Sequence, residues 1–234
     1  MRAAILVLTM LFSVSSLAAQ RKTLTLDAGF VNASGNSDFT SVNLGEKATW
    51  GLNSWSFTQS AKALFGATDG NRTTESYDAG ARAERALSPR IGVFAILAYQ
   101  RDPFAGLASR WSGGPGVAVG LVRSAHDTLG VESALTQQSE RSTAAVTRSF
   151  AATRTAALFK HSFATAASFS QALEWVANLK TSADYRLNSE TALLAPLSRK
   201  IGLRLSYLIR FDNQPEPGFK KSDRILTTGI QVAL

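Results

Sequence analysis

Ile201-Gly-Leu-Arg-Leu-Ser-Tyr-Leu-Ile-Arg-Phe211 shows the clearest alternation in the chain. Because successive side chains of a β-strand point to opposite faces, every second residue from Ile201 to Phe211 builds one wholly apolar face. The other face carries Arg204 and Arg210. In a soluble sandwich the apolar face would be buried, whereas in a membrane barrel it would meet lipid and the arginines would line a wet lumen. About ten tilted residues let a strand cross a bilayer, so this stretch fits both arrangements.

The composition restricts the class of protein. The chain has 234 residues, enough for one all-β domain, and no cysteine, which excludes disulfides and thiolate metal sites. It carries 25 Lys+Arg against 17 Asp+Glu, a net charge of +8. This balance suggests anionic partners, but the charges are scattered among apolar residues instead of clustered, which disfavours nucleic acid.

Residues 1–19 have the pattern of a secretory signal peptide. Arg2 precedes an apolar run from Ala3 to Phe12, and Ser16-Leu-Ala18 supplies small residues for cleavage, with cleavage after Ala19 as the alternative. The run is too short for a spanning helix, and no later stretch reaches the roughly 18 apolar residues that such a helix needs. We therefore expect an exported mature protein, residues 20–234, that forms one barrel domain.

Alternating segments recur along the whole mature chain. The sequence predicts strands at Thr23–Val31, Asp38–Trp50, Ser54–Phe65, Thr73–Arg85, Ile91–Gln100, Arg110–Val122, Thr128–Thr136, Phe150–Lys160, Phe163–Val176, Tyr185–Leu197, Ile201–Phe211 and Arg224–Leu234. The faces of Phe150–Lys160 stay unassigned, and Glu46 interrupts an otherwise apolar face. About twelve strands, an even number, predict an all-β fold, a closed antiparallel transmembrane β-barrel. The alternative is a soluble periplasmic β-barrel that acts as a binding protein.

The predicted connections alternate in length. Short turns are expected at 51–53, 87–90, 123–127, 161–162 and 198–200, and longer loops at 32–37, 66–72, 101–109, 137–149, 177–184 and 212–221. Outer-membrane barrels have short periplasmic turns and longer external loops. A soluble barrel has no reason to separate its connections in this way, so the pattern favours the membrane barrel.

Aromatic residues concentrate near the predicted strand ends. Those near the longer loops are Phe30, Phe65, Tyr99, Trp111, Trp175, Tyr185 and Phe211, and those near the short turns are Trp50, Trp55 and Phe163. Aromatic side chains favour the two membrane–water interfaces, where they form girdles around a barrel. This distribution also favours the membrane barrel.

Charged residues on the polar faces of the predicted strands would line the lumen. They are Asp27, Lys62, Asp78, Arg82, Glu84, Glu132, Arg186, Glu190, Arg204 and Arg210. If Glu190, Glu84 and Asp78 pair fully with Arg204, Arg210 and Arg186, the barrel is closed and its role is structural or linked to envelope stress. If arginines remain unpaired, the lumen is a narrow pore that prefers anions, and the net basic charge favours this hypothesis.

Several segments resemble a known family. They are Ala33-Ser-Gly-Asn-Ser-Asp38, Asp102-Pro-Phe-Ala-Gly106 with Arg110-Trp111, Asp184-Tyr-Arg-Leu-Asn-Ser-Glu-Thr191, Leu205-Ser-Tyr-Leu-Ile-Arg-Phe-Asp212 and Lys220-Lys-Ser-Asp223. Their order and spacing resemble the salt-induced outer-membrane protein family of Gram-negative bacteria, which is domain of unknown function family 481. The resemblance covers most of the mature chain and implies an outer-membrane barrel. It implies no substrate and no catalytic residue.

No constellation of residues predicts an enzyme or a cofactor site. His126 and His161 both fall in short turns, on the side opposite to the one where an outer-membrane lipid hydrolase needs its base. The run Gly113-Gly-Pro-Gly116 lacks the lysine and helix of a phosphate loop and is typical of a bent or crowded strand. Turn formation accounts for the side chains Asn36, Asp38, Asp69 and Asn71 without calcium. We expect no catalytic residue, cofactor or metal.

The expected partners are those of the bacterial envelope. The protein would be a monomer in the cell outer membrane, inserted by the barrel-assembly machinery and surrounded by outer-membrane lipid and lipopolysaccharide. Basic residues in or beside the longer connections could pair with lipopolysaccharide phosphates. They are Arg72, Arg141, Arg148, Lys180, Lys220 and Lys221.

Overall fold

The fold is a closed barrel. The computed structural model describes residues 22–33, 39–164 and 166–234. Within them lie twelve strands: β1 Lys22–Ala33, β2 Phe39–Leu52, β3 Trp55–Thr68, β4 Asn71–Ala86, β5 Ile91–Asp102, β6 Leu107–Arg123, β7 Asp127–Ser142, β8 Thr147–Ser162, β9 Ser168–Asn178, β10 Tyr185–Pro196, β11 Ile201–Asp212 and β12 Ser222–Ala233. Each strand pairs antiparallel with its sequence neighbours, and β1 pairs with β12. The predicted all-β barrel is therefore confirmed. The predicted signal peptide lies outside the described residues, in which no helix is long and apolar enough to span a membrane.

We call the end of the barrel with the connections after β2, β4, β6, β8 and β10 the turn end, and the opposite end the loop end. At the loop end the strands extend further than the sequence predicts. The predicted loop 137–149 is mostly strand, because β7 continues to Ser142 and β8 starts at Thr147. Asp69 and Gly70 alone join β3 to β4. The predicted contrast in loop length is thus wrong for most connections, and residues 213–221 form the longest one described. Of the polar residues that suggested a loop, Gln138, Glu140 and Ser142 instead face the lumen.

The outward face of the barrel is an apolar belt. On β11, Leu203, Leu205 and Tyr207 are exposed, whereas Gly202 and Ser206 are buried on the inward face. Large apolar side chains are exposed on other strands as well, among them Leu26, Leu44, Leu97, Leu135, Leu173, Leu193 and Ile230. A soluble monomer rarely exposes so continuous an apolar surface. The soluble alternative is therefore incompatible with the exterior of the barrel.

Aromatic rings pair at both rims of this belt. Near the loop end, ring centroids lie 5.5 Å apart for Phe65–Tyr77, 4.8 Å for Tyr99–Trp111 and 6.0 Å for Tyr185–Phe211. Near the turn end they lie 5.9 Å apart for Trp50–Phe57 and 6.2 Å for Phe159–Phe169. The predicted girdles are present, and they mark the boundaries of the membrane-facing zone.

One side of the interior is packed. Phe94 from β5, Phe150 and Ala152 from β8 and Val176 from β9 are buried there. A Cβ on Gly116 would lie 2.4 Å from the ring of Phe94, so glycine on β6 makes room for that ring. This agrees with the interpretation of Gly113-Gly-Pro-Gly116 as a crowded strand. The open part of the lumen consequently runs along β1–β4 and β10–β12.

The barrel closes through a short seam. β1 pairs with β12 from Thr25↔Ala233 to Ala28↔Ile230. Leu24 and Leu234 exchange backbone hydrogen bonds of 3.0 and 2.8 Å. Beyond Ala28, toward the loop end, the backbones at Gly29 and Gly229 approach closely, since a Cβ on Gly229 would lie 2.5 Å from Ala28 O. Glycine on both strands permits this crossing.

Candidate functional site: the charged lumen

The lumen contains a network of ion pairs that crosses the barrel. All ten residues predicted to line the lumen face inward: Asp27, Lys62, Asp78, Arg82, Glu84, Glu132, Arg186, Glu190, Arg204 and Arg210. We call these residues except Asp27, together with Asp102, Arg110, Glu140, Arg154 and Glu174, the lumen network. Its ion pairs join strands that are distant in sequence, so the barrel interior brings them together.

The first part of the network joins β10 and β11 to the strands across the lumen. Glu190 Oε1 accepts a hydrogen bond from Arg204 Nη2 at 2.6 Å, and Lys62 Nζ from β3 donates to Glu190 Oε2 at 3.1 Å. Arg210 Nη2 donates to Asp78 Oδ2 on β4 at 2.7 Å, and Arg210 Nη1 donates to Asp102 Oδ2 on β5 at 3.3 Å. Arg204 and Arg210 therefore both have acidic partners.

The second part of the network lies toward the packed side. Arg82 bridges Glu84 and Glu132 at 2.8 and 2.9 Å. Arg154 bridges Glu132 and Glu174 at 2.5 and 2.6 Å. The guanidinium carbon of Arg82 also lies 3.7 Å from the ring centroid of Phe94. A cation stacked on an aromatic face gains further attraction, which fixes the Arg82 side chain over the packed side.

The third part of the network is the most buried. Glu140 accepts hydrogen bonds from Arg110 Nε at 2.7 Å and from Arg186 Nη1. The side chains of Glu140 and Arg186 are only 8% and 10% exposed. Two guanidiniums thus share one carboxylate, and Gln100 Oε1 accepts a second bond from Arg110 at 2.7 Å.

Sequence reasoning missed five members of the network: Asp102, Arg110, Glu140, Arg154 and Glu174. Asp102 and Glu140 fall in segments that were predicted as loops, and Arg154 lies on the strand whose faces were unassigned. The alternation that could have placed Glu140 is Glu132, Ala134, Thr136, Gln138, Glu140, Ser142, all of them buried on β7. Of the three acidic residues expected to pair with Arg204, Arg210 and Arg186, Glu190 pairs with Arg204 and Asp78 pairs with Arg210, whereas Glu84 pairs with Arg82. Arg186 instead pairs with Glu140.

The charges of the network balance. Its basic members are Lys62, Arg82, Arg110, Arg154, Arg186, Arg204 and Arg210, and an equal number of acidic members accompany them: Asp78, Glu84, Asp102, Glu132, Glu140, Glu174 and Glu190. Each basic member has an acidic partner within 4 Å. The network is therefore close to neutral as a whole.

Two cavities meet at this network. The larger, of about 680 Å³, opens along the inner walls of β1–β4 and β10–β12, and the smaller, of about 400 Å³, lies nearer the loop end. Both are lined by Lys62, Asp78, Arg154, Glu174, Glu190 and Arg210. These charged side chains form the boundary between the two spaces, and any solute that crossed the barrel would have to pass them.

The connection between β11 and β12 covers the loop end of the lumen. We call residues 213–221 the strap. It reaches the connection between β5 and β6, which lies opposite in the ring of strands, because a Cβ on Gly106 would lie 2.9 Å from the ring of Phe219. Arg148 Nη2 at the start of β8 donates to Glu216 Oε1 at 2.6 Å. The strap therefore narrows the mouth, and its Pro215, Lys220 and Lys221 line the smaller cavity.

The two histidines lie together at the turn end. His161 Nδ1 lies 2.7 Å from Asp127 Oδ1, and His126 Nδ1 lies 3.1 Å from Ser162 O. Ser124 Oγ accepts hydrogen bonds from the backbone N–H groups of His126 and Asp127, so this hydroxyl holds the turn. Among the described residues no group of three or more His, Cys, Asp or Glu side chains is arranged to hold a metal ion.

The side chains considered for calcium form turns where they are described. Asp69 has a φ of 49° and precedes Gly70, whose φ is 75°. Asn71 Nδ2 donates to Asp69 O at 3.4 Å. Asn36 and Asp38 lie outside the described residues.

The fold is a closed antiparallel β-barrel with an apolar exterior and a charged lumen. The chain belongs to the family described as "Protein of unknown function, DUF481", whose sequence model matches residues 26–234. Among solved structures, the fold is similar to the NanC porin, with a TM-score of 0.51 and 9% identity over 90% of this chain and 97% of that one. It is also similar to the translocator domain of the autotransporter NalP from Neisseria meningitidis, with a TM-score of 0.50 and 11% identity over 90% and 86% of the two chains. No curated protein sequence matches the chain.

Proposed function

We propose that the protein resides in the cell outer membrane and forms a narrow, weakly selective passage for small polar solutes. The observation that carries this proposal is the pair of cavities, about 680 and 400 Å³, that meet at the lumen network. Polar walls and charged constrictions are the elements by which membrane pores conduct and select. The girdles and the apolar belt support a position in the membrane.

The passage should not prefer anions. That expectation depended on unpaired Arg204 and Arg210, and both make ion pairs at 2.6 and 2.7 Å. Because acidic and basic members of the network are equal in number, neither ion sign gains a large advantage at the constriction. Pairs inside a confined lumen are also screened less than surface pairs, so added salt should change this balance little.

Planar-bilayer recording of the refolded mature chain tests the proposal. We expect a small single-channel conductance and a reversal potential near zero in a potassium chloride gradient. The Glu190→Gln variant removes the partner of both Lys62 and Arg204 and should shift the reversal potential toward anion preference. The matched control is Glu75→Gln, since Glu75 pairs with Arg72 at the outer rim, where the side chain of Arg72 is 63% exposed.

A sealed structural barrel is the alternative that the complete pairing favours. In that case the refolded protein would show no conductance above background, and the Glu190→Gln variant would show none either. That result would overturn the passage. Fractionation of cells, with gel mobility before and after boiling, tests the location separately. Recovery in the soluble fraction would contradict the outer-membrane assignment.

We further propose that the protein is not an enzyme. The ring nitrogens of His126 and His161 contact Ser162 O and Asp127 Oδ1, and these contacts join the connection between β6 and β7 and the start of β7 to the end of β8, at the end opposite to the strap. Incubation with labelled phospholipid or lipopolysaccharide should give no turnover. Turnover that is abolished by His161→Ala would contradict this proposal.

A further inference from the structure

One acidic residue, Glu46, lies in the middle of the membrane-facing surface. Lys62 points into the lumen, because its Nζ reaches Glu190 across the barrel at 3.1 Å. Gly45 is the cross-strand partner of Lys62 and shares its face. Glu46, the next residue of β2, therefore points outward, together with Leu44, which is 50% exposed. Glu46 is therefore the residue that interrupts the otherwise apolar outward face of β2.

Glu46 lies near the middle of the membrane-facing zone. Its cross-strand partner Ala61 sits midway along β3 between Phe57 and Phe65, the aromatic residues of the two girdles. The other acidic and basic residues on outward faces lie near strand ends: Lys22, Arg72, Glu75, Arg85, Arg101, Asp127, Arg141, His161 and Arg224. Within the described strands, Glu46 is thus the one acidic or basic side chain placed between the girdles.

The hydrogen bonding of Glu46 is incomplete. Gln59 Nε2 on β3 donates to Glu46 Oε1 at 2.9 Å, and this bond uses one carboxylate oxygen and one amide hydrogen. Within the described part of the chain, Glu46 Oε2, the second Nε2 hydrogen of Gln59 and Gln59 Oε1 make no hydrogen bond. Hydrocarbon offers no water to complete these bonds, so ionisable groups in membranes almost always face protein partners or water.

Small residues surround the Glu46–Gln59 pair. Ala61 lies opposite Glu46, and Ala48 lies opposite Gln59, so the four residues form a compact block on β2 and β3. The outward positions of β4 beside this block are Ala79, Ala81 and Ala83. Small residues let two membrane segments approach closely, and polar side chains between them then form hydrogen bonds.

We propose that the Glu46–Gln59 block packs against the same block of a second copy of this chain in the membrane. The block presents both donors and acceptors, so a twofold axis along the membrane normal would place each Gln59 amide against the other copy's Glu46. Such an interface is isologous and requires no second protein with a complementary surface. The sequence alone predicts a monomer, whereas the exterior of β2–β4 favours a dimer.

Single-cysteine crosslinking in lipid vesicles tests the dimer, because the chain contains no cysteine of its own. A residue beside a twofold axis lies close to its own counterpart, so the Ala61→Cys variant should form a disulfide-linked dimer on mild oxidation. The matched control is Ala157→Cys, which replaces an outward alanine on β8, on another side of the barrel, and should remain monomeric.

Further substitutions separate the polar pair from general packing. In the Ala61→Cys background, Glu46→Leu with Gln59→Leu should lower the crosslinked fraction about tenfold, since polar contacts in membranes contribute on the order of one factor of ten in affinity. Glu46→Gln keeps the hydrogen-bonding capacity and should preserve the crosslink. Absence of a dimer for Ala61→Cys would overturn the proposal. A crosslinked adduct with a different protein in native membranes would overturn the choice of a second copy.

Discussion

Glu140 holds two arginines on the most buried side of the lumen. Arg110 and Arg186 both donate to it, and the Glu140 side chain is only 8% exposed. Replacing the carboxylate by an amide removes the counter-charge that both guanidiniums share, and because these side chains are only 16% and 10% exposed, water screens them little. The cost of breaking such a buried pair is large, because the remaining charge is uncompensated.

The Glu140→Gln variant should therefore be strongly destabilised. We expect the free energy of unfolding to fall by about 3–5 kcal/mol, the range for a buried ion pair that loses one partner. Urea unfolding in detergent micelles, followed by tryptophan fluorescence, measures the change. The control is Glu216→Gln, which removes the partly exposed pair with Arg148, and it should cost about 0–1 kcal/mol. Equal losses for both variants would contradict the role of burial.

Individual lumen residues were predictable only where the strand face was clear. Arg204 and Arg210 alternate with apolar residues in a long strand, so their inward direction follows from the sequence. The partner of Arg186 does not follow, because Glu140 lies on a strand that reaches it only through closure of the barrel. Pairing across a lumen depends on strand tilt and register, and a single sequence contains neither.

The strands themselves were predictable because lipid requires an apolar outward face along each of them. The residues at which the strands end on the loop side of the barrel were not predictable. On β7 the residues after Thr136 are polar on both faces, which suggests a loop, but Gln138, Glu140 and Ser142 are buried toward the lumen. Polar residues that face a wet lumen and polar residues in a loop give the same pattern, so the strand boundary is visible only in the structure.

The strap is the element that covers the loop end of the lumen. Its base is fixed, because Asn213 donates hydrogen bonds to Tyr185 O and Ala183 O at 3.0 and 2.9 Å. Across the mouth it makes two contacts: Glu216 pairs with Arg148, and Phe219 lies against Gly106. The ion pair is partly exposed, with Arg148 44% exposed, so it contributes little to holding the strap in place. The strap should therefore open at low energetic cost.

Locking the strap should reduce conduction. The Arg148→Cys/Glu216→Cys variant can be joined by a thiol-reactive crosslinker that spans the length of the former ion pair and is cleaved by reductant. Its conductance should fall below that of the cleaved form. Removal of the ion pair alone, in Glu216→Gln, should raise the open probability about two- to fivefold, as expected for a loss of at most about 1 kcal/mol. Planar-bilayer recording with and without reductant measures both effects. Unchanged conductance after crosslinking would show that solutes do not pass beneath the strap.

At the scale of the whole molecule, the basic residues of the loop end fall into two groups. Arg72 and Arg148 pair with Glu75 and Glu216, and Lys220 and Lys221 line the smaller cavity. Arg141 and Arg224 instead lie on the outward faces of β7 and β12, at the rim of the apolar belt, and both are exposed. Part of the positive charge behind the net charge of +8 thus lies where lipid headgroups would surround the barrel.

Arg141 and Arg224 are therefore the residues that we expect to bind lipopolysaccharide phosphates, in place of the strap lysines. Each basic residue near an anionic membrane surface contributes about 1 kcal/mol, so Arg141→Gln with Arg224→Gln should reduce retained lipopolysaccharide on the order of tenfold. Quantifying lipopolysaccharide that copurifies in mild detergent measures this loss. The control, Lys220→Gln with Lys221→Gln, removes the same charge from the strap and should leave retention unchanged, because these lysines face the cavity. If the strap variant loses lipopolysaccharide and the rim variant does not, the ligand binds over the mouth instead of around the belt.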